Sequence, residues 1–133
     1  MSKKKILLVD DEPMVLRVLR LQLEKAGFSV ETAPNGQVAL EIILAAPPDA
    51  LITDIEMPTM SGEELCKNLQ VSMPDRSFPI FVTTSLTALK HREWAELIED
   101  LHFLEKPISA KKIIAAMKKY FQTEQQIESE ESV

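Results

Sequence analysis

The chain has 133 residues, of which 45% are hydrophobic and 27% charged, a length and composition that fit one globular domain. Its 15 Lys and Arg residues against 21 Asp and Glu residues give a formal net charge of −6, which argues against a basic surface for direct nucleic-acid binding. The single cysteine, Cys66, excludes an internal disulfide framework and favours a reducing, cytoplasmic location, and no apolar run approaches the roughly 20 residues of a membrane span.

Short apolar runs alternate with longer amphipathic stretches along the chain, a pattern typical of βα units around a parallel sheet. The second run alternates apolar and polar residues, which predicts an edge strand, whereas the others are more continuously apolar. The predicted strands are Lys5–Val9, Ser29–Ala33, Ala50–Thr53, Ile80–Thr83 and Phe103–Glu105. The predicted helices are Pro13–Lys25, Gln37–Ala45, Gly62–Gln70, Leu89–Glu99 and Ala110–Phe121. We therefore expect an α/β fold, a doubly wound five-stranded parallel sheet flanked by five helices.

Capping signals support these helix boundaries. Pro13 suits the first turn of a helix, and Gly27 suits a C-terminal cap. Ser61 followed by Glu64 forms a capping-box pattern, and Ser109 is placed to cap the last helix.

Polar side chains follow four of the five predicted strands, at the point where each strand ends. In a parallel sheet all carboxyl ends lie on one edge, so these side chains are expected to lie close together. They are Asp10, Asp11 and Glu12 after the first strand, Asp54 after the third, Thr84 after the fourth, and Lys106 after the fifth.

Three aspartates at one edge, Asp10, Asp11 and Asp54, would repel one another, and either a raised pKa or a bound cation relieves that repulsion. Mg²⁺ is the metal that oxygen ligands of this kind favour, since neither histidine lies at a strand end and Cys66 has no partner for zinc. An aspartate can also accept a phosphoryl group, whose oxygens Lys106 and the Thr84 hydroxyl would contact.

Each of these features taken alone has an ordinary structural explanation. Asp10, Asp11 and Glu12 before Pro13 form an acidic helix start, and Asp54 alone could be a loop residue or a helix cap. Only their joint placement at four strand ends favours a phosphoryl site.

At these residues the chain resembles the receiver domain of bacterial two-component response regulators, including the stand-alone chemotaxis type. The resemblance covers about residues 4–121. The matching pieces are Ile6 to Pro13, Ala33 to Gly36, Asp54 to Pro58 with Gly62, and Phe103 to Pro107.

The resemblance implies the strand order 2-1-3-4-5. It also implies that Asp54 is phosphorylated by a sensor histidine kinase or a histidine phosphotransfer protein. Mg²⁺ would be held by Asp11, Asp54 and the backbone carbonyl of Glu56, with Asp10 acting through water. Lys106 would pair with the phosphoryl group, and Thr84 and Phe103 would be the switch hydroxyl and the switch aromatic residue.

Glu56 lies two residues after Asp54 and brings an additional acid to the mouth of the site. We expect it to affect the lifetime of the phosphoryl group by repelling or orienting the attacking water. Leu101 and His102 replace the small residues that the family often has before the last strand.

Two other functions are alternatives to a receiver domain. A metal-dependent phosphatase that uses Asp54 as a transient aspartyl-phosphate nucleophile is the main alternative, although such enzymes usually carry Asp where this chain has Glu56. A nucleotide-binding domain would need a glycine-rich first turn, and here the acidic turn Asp10 to Pro13 would repel phosphate in the absence of a metal ion.

The segment 122–133 is polar and acidic, so residues 1–121 are expected to form the receiver domain. The segment is expected to be a disordered tail or linker, or to extend the last helix. The protein is expected to be a phosphoacceptor regulator and not a turnover enzyme. It would act on an unknown output protein or a fused domain, with no direct nucleic-acid contact and no membrane insertion.

Overall fold

The computed structural model describes residues 3–85 and 92–131. Within these ranges it contains five β-strands, four α-helices and one 3₁₀ helix. The strands are β1 (Lys5–Val9), β2 (Ser29–Ala33), β3 (Ala50–Asp54), β4 (Ile80–Thr84) and β5 (Leu101–Glu105). The α-helices are α1 (Pro13–Lys25), α2 (Gly36–Ala45), α3 (Gly62–Ser72) and α4 (Ala110–Glu131), and the 3₁₀ helix is Glu93–Leu97.

The five strands form one parallel sheet in the order β2-β1-β3-β4-β5, which confirms the predicted topology and the edge position of β2. Side chains alternate between the two faces along each strand. In β1, Leu7 and Val9 belong to the apolar cluster beneath α2 and α3, whereas Ile6 and Leu8 belong to the cluster beneath α1 and α4. Helices therefore cover both faces, as the continuously apolar strands predict.

Side-chain caps fix several helix starts. The Asn35 side chain accepts a hydrogen bond from the Val38 N–H at 2.9 Å and begins α2. Ser61 accepts from the Glu64 N–H at 3.1 Å at the start of α3, where the sequence shows its capping box. These starts lie near the carboxyl edge of the sheet, so the caps also hold the loops that follow β2 and β3.

The structure differs from the sequence prediction around the fourth predicted helix, Leu89–Glu99. Residues 86–91 lie outside the described ranges, and the described part of this segment is the 3₁₀ helix Glu93–Leu97. Ala95 is buried and Leu97 is 84% exposed, so this short helix packs against the domain with one side only.

Several element boundaries differ from the prediction by one or two residues. β3, β4 and α3 end later, at Asp54, Thr84 and Ser72, and α2 begins earlier, at Gly36. β5 begins at Leu101, two residues before the predicted start, because the backbone of this stretch pairs with β4 from Ile80 onward. α4 continues past Phe121 to Glu131, so the described residues 122–131 extend the last helix. Among the helices that the structure describes, none is long and apolar enough to cross a membrane.

Candidate functional site

Asp54 is the last residue of β3, and its side chain lies at the carboxyl edge of the sheet with only 7% of the residue exposed. Its Oδ1 accepts a hydrogen bond from the Ile55 N–H at 2.8 Å. The Nζ of Lys106 lies 3.1 Å from Oδ1 and 3.2 Å from Oδ2. Lys106 follows β5 and begins a cis peptide bond with Pro107. The parallel topology thus brings together an acid and a lysine that lie 52 residues apart in sequence.

Asp10, Asp11 and Asp54 form a cluster in which one carboxylate oxygen from each residue lies within 4.8 Å of the others. Burial raises the pKa of Asp10, and the nearby charges of Asp54 and Asp11 add to that rise. The Glu12 N–H, which donates to Asp10 Oδ1 at 2.9 Å, and the positive charge of Lys106 act in the opposite direction.

This donor set fits a hard divalent cation. One ammonium group against three carboxylates leaves two negative charges, which one divalent cation would balance. Clustered carboxylate oxygens are the ligands that Mg²⁺ prefers. Glu56 is exposed in the loop after β3, and its carboxylate is not part of this cluster of the described residues. If Glu56 binds the cation, the ligand would therefore be its backbone carbonyl oxygen.

Thr84 ends β4 and is 1% exposed. Its hydroxyl donates to the Ser85 carbonyl at 3.2 Å, and its own carbonyl accepts from the Lys106 N–H at 2.7 Å. Thr84 is thus tied to the residue after β5 through the backbone at the same edge as Asp54.

Phe103 is half-buried on β5, three residues before Lys106. Its ring meets the ring of Trp94 edge to face at 6.3 Å, and the Arg92 guanidinium lies 5.9 Å from its centroid. The ring therefore packs under the segment that precedes β5.

Two glycines position the loops around the site. Gly62 donates its N–H to the Ile55 carbonyl at 2.8 Å, and a Cβ at Gly62 would lie 2.2 Å from the Asp54 carbonyl oxygen. Gly36 donates to the Met60 carbonyl at 3.1 Å, and a Cβ there would lie 2.6 Å from that oxygen. Neither contact was predicted, because each depends on how a loop folds back onto another segment and leaves no pattern in the sequence.

A model of the response regulator receiver domain matches residues 6–118 of the chain. The chain belongs to the response regulator receiver domain family. This membership confirms the resemblance seen in the sequence. It favours a receiver domain of a two-component system over a phosphatase or a nucleotide-binding domain.

Curated relatives include Response regulator MprA of Mycobacterium avium (strain 104), which is 35% identical over 114 residues. That match covers 86% of this chain and 49% of the relative. Response regulator MprA of Mycolicibacterium vanbaalenii is 34% identical, with coverage of 86% and 48%. The receiver domain therefore spans about half the length of these relatives.

Solved structures show the same fold. The chemotaxis response regulator CheY4 of Vibrio cholerae is 27% identical and superposes with a TM-score of 0.80 over 89% of this chain and 98% of that chain. A receiver domain protein of Clostridium thermocellum is 26% identical, with a TM-score of 0.78 and coverage of 93% and 98%. The signal receiver domain of a histidine kinase from Syntrophus aciditrophicus is 28% identical, with a TM-score of 0.77 and coverage of 87% and 88%.

Proposed function

We propose that this receiver domain accepts a phosphoryl group on Asp54 from the phosphohistidine of a sensor histidine kinase or a histidine phosphotransfer protein. One observation carries the proposal: the buried Asp54 carboxylate lies against Lys106 and within a cluster of three aspartates. A nucleophile, a cation and a set of oxygen ligands thus meet at one point. Family membership supplies the context in which this arrangement serves signalling.

The transfer uses an Asp54 carboxylate oxygen as the nucleophile. That oxygen forms a bond to phosphorus while the bond from phosphorus to the donor nitrogen breaks, and the electron pair stays on the imidazole. Lys106 lies close enough to both Asp54 oxygens to contact the phosphoryl oxygens as the group arrives. Positioning and electrostatic stabilisation are the main sources of catalysis in phosphoryl transfer.

Mg²⁺ is the proposed cofactor. Asp10, Asp11, Asp54 and the backbone carbonyl of Glu56 would hold it, with Asp10 acting through water. When bound, Mg²⁺ supplies positive charge that offsets the three carboxylates and stabilises the negative phosphoryl oxygens.

The proposed conformational switch couples the position of the Thr84 hydroxyl to that of the Phe103 ring. Phosphorylation would draw the Thr84 hydroxyl away from the Ser85 carbonyl toward the phosphoryl oxygens, and Phe103 would repack into the space left behind. The new position of the ring would change its contact with Trp94 and so the surface before β5.

The exposed apolar side chains of α1 are the proposed contact for the phosphodonor protein. Met14, Val18 and Leu21 are 67%, 50% and 53% exposed and recur at helical spacing. Their helix begins directly after the acidic residues of the site. A helical face of the donor protein could cover them while its phosphohistidine reaches Asp54.

The proposed role is that of a cytoplasmic regulator which assists its own phosphorylation and dephosphorylation but does not turn over other substrates. Its output would be a contact with a separate protein or with a fused domain.

Incubation with a small acyl phosphate and Mg²⁺, followed by intact mass measurement, tests the proposal. We expect one phosphoryl group on the parent protein and none on Asp54→Asn or after chelation of the metal. Asp75→Asn, at an exposed loop residue away from the site, is the matched control and should behave like the parent. Full labelling of Asp54→Asn would contradict the proposal.

A further inference from the structure

A cavity of about 430 Å³ lies between α1 and the start of α4, beside the candidate functional site. Met14 and Val18 of α1 line it and are 67% and 50% exposed, so the cavity reaches the protein surface. Pockets that bind small organic molecules have volumes of about 300 to 1,000 Å³ and mostly apolar walls. The cavity has the size and the lining of such a pocket. Its inner wall includes the apolar side chains of Leu8, Val15, Leu19, Ile52 and Ile113.

Thr83 brings a polar group into this wall. It follows Phe81 by two residues in β4, and Phe81 belongs to the cluster beneath α1 and α4, so strand alternation turns Thr83 toward the same two helices. Thr83 is 7% exposed and lines the cavity. Its hydroxyl has no hydrogen-bond partner among the described residues, whereas every fully enclosed side-chain polar atom in that part of the chain has one. The hydroxyl therefore keeps contact with the open space of the cavity, where a ligand could reach it.

The cavity is acidic where it meets the carboxyl edge of the sheet. Asp10, Glu12 and Lys106 line it there together with Thr83. The Nζ of Lys106 is already paired with Asp54, at 3.1 Å and 3.2 Å from its two carboxylate oxygens. Two carboxylates and a hydroxyl therefore remain for a ligand. A cation with several N–H donors complements this edge, whereas an anion would be repelled by it.

We propose that this cavity binds a small organic amine, with an apolar body between α1 and α4 and a primary ammonium group at the carboxyl edge of the sheet. The Asp10 carboxylate and the Thr83 hydroxyl would accept hydrogen bonds from the ammonium group, and the Glu12 carboxylate adds negative charge. Enclosure of the apolar body removes apolar surface from water. The site does not depend on phosphorylation of Asp54, although Thr83 pairs with Asp54 in the sheet, so a bound amine would lie close to that acid.

Three small probes separate the contributions of charge and of apolar surface. Titration of the metal-free protein at neutral pH, followed by NMR, should show saturable shifts of the backbone amides of α1 and of Thr83 with 2-phenylethylamine. Phenylacetate has the same ring and a negative charge, and it should bind at least about tenfold more weakly. Ethylamine keeps the ammonium group and lacks the ring, and it should also bind at least about tenfold more weakly.

Substitutions test the two proposed acceptors. Thr83→Val removes the hydroxyl and keeps the side-chain shape, so it should weaken the binding of 2-phenylethylamine about three- to tenfold, and Thr83→Ser should restore most of the affinity. Asp10→Asn removes one negative charge and should reduce the preference for 2-phenylethylamine over phenylacetate. Thr32→Val, the same change on the edge strand β2 and outside the cavity, is the matched control and should bind like the parent.

Absence of saturable binding of 2-phenylethylamine to the parent would overturn the proposal. Equal affinities for 2-phenylethylamine and phenylacetate would overturn the ammonium site, and equal affinities for 2-phenylethylamine and ethylamine would overturn the role of the cavity. Unchanged binding in both Thr83→Val and Asp10→Asn would also contradict the site. Urea unfolding shows whether each variant folds, and Asp10→Asn decides the test if Thr83→Val does not.

Discussion

Replacing Asp10 by Asn removes one of the three clustered carboxylates and keeps the oxygen that accepts the Glu12 N–H. At a separation of 4.8 Å, two like charges repel by about 1 kcal/mol in water and about 3.5 kcal/mol at an effective dielectric constant near 20. The Asp10 carboxylate is repelled by the carboxylates of Asp11 and Asp54 and attracted by the Lys106 ammonium, so a net repulsion from one negative charge remains. We therefore expect Asp10→Asn to raise the free energy of unfolding of the metal-free protein by about 1 to 3 kcal/mol at neutral pH.

The pH dependence of this difference follows from the raised pKa of Asp10. The folded protein holds the Asp10 proton to higher pH than the unfolded chain does, so this group stabilises the fold at low pH and loses that effect as pH rises through its raised pKa. The difference in the free energy of unfolding between Asp10→Asn and the parent should therefore shrink as pH is lowered toward 3.8, the ordinary pKa of an aspartate.

Urea unfolding of the parent and of Asp10→Asn, with a chelator and with Mg²⁺, measures both effects. Mg²⁺ should stabilise the parent more than the variant, because the variant has lost a carboxylate that serves the ion. Asp75→Asn should change neither the free energy of unfolding of the metal-free protein nor the stabilisation by Mg²⁺. A metal-free Asp10→Asn protein that is no more stable than the parent would refute the view that the acidic cluster is strained by charge.

Three further substitutions test other parts of the site and fold. If Glu56 orients the attacking water, Glu56→Ala should slow dephosphorylation several-fold; faster dephosphorylation would show instead that Glu56 repels the water, and identical rates would end the idea that Glu56 sets the phosphoryl lifetime. Gly62→Ala should reduce both the phosphorylation rate and the stability to urea, because the new Cβ would lie 2.2 Å from the Asp54 carbonyl oxygen. Arg76→Ala should lower the free energy of unfolding in urea by about 2 to 4 kcal/mol, because the Arg76 guanidinium donates to the carbonyls of Phe78 and Glu99. The same substitution should leave the affinity for Mg²⁺ unchanged.

The side chains that meet at the carboxyl edge of the sheet could be predicted from the sequence, because strand positions follow from simple patterns of apolar residues. Apolar runs of strand length define β1 and β3, and parallel pairing then brings Asp10 and Asp54 together. The meeting of Lys106 with Asp54 across 52 residues follows from the same topology. The roles assigned to these side chains remain predictions that the experiments above test.

Contacts made by loops could not be predicted in this way. The approach of Gly62 to the Asp54 backbone depends on how α3 docks, and a glycine in the sequence does not reveal its neighbour. The helix predicted before β5 was wrong for another reason. Trp94 and Ile98 have helical spacing, but Trp94 packs on Phe103 from a single 3₁₀ turn, and spacing alone does not fix helix length.

The central claim is that Asp54 is the residue that carries the phosphoryl group, and chemical trapping tests it most directly. The protein would be phosphorylated with a small acyl phosphate and Mg²⁺ and reduced with borohydride, which converts an aspartyl phosphate to homoserine. Peptide mass mapping would then locate the change. We predict homoserine at position 54 alone, with none in a sample kept free of metal. Homoserine at position 10 or 11 with an intact Asp54 would contradict the account.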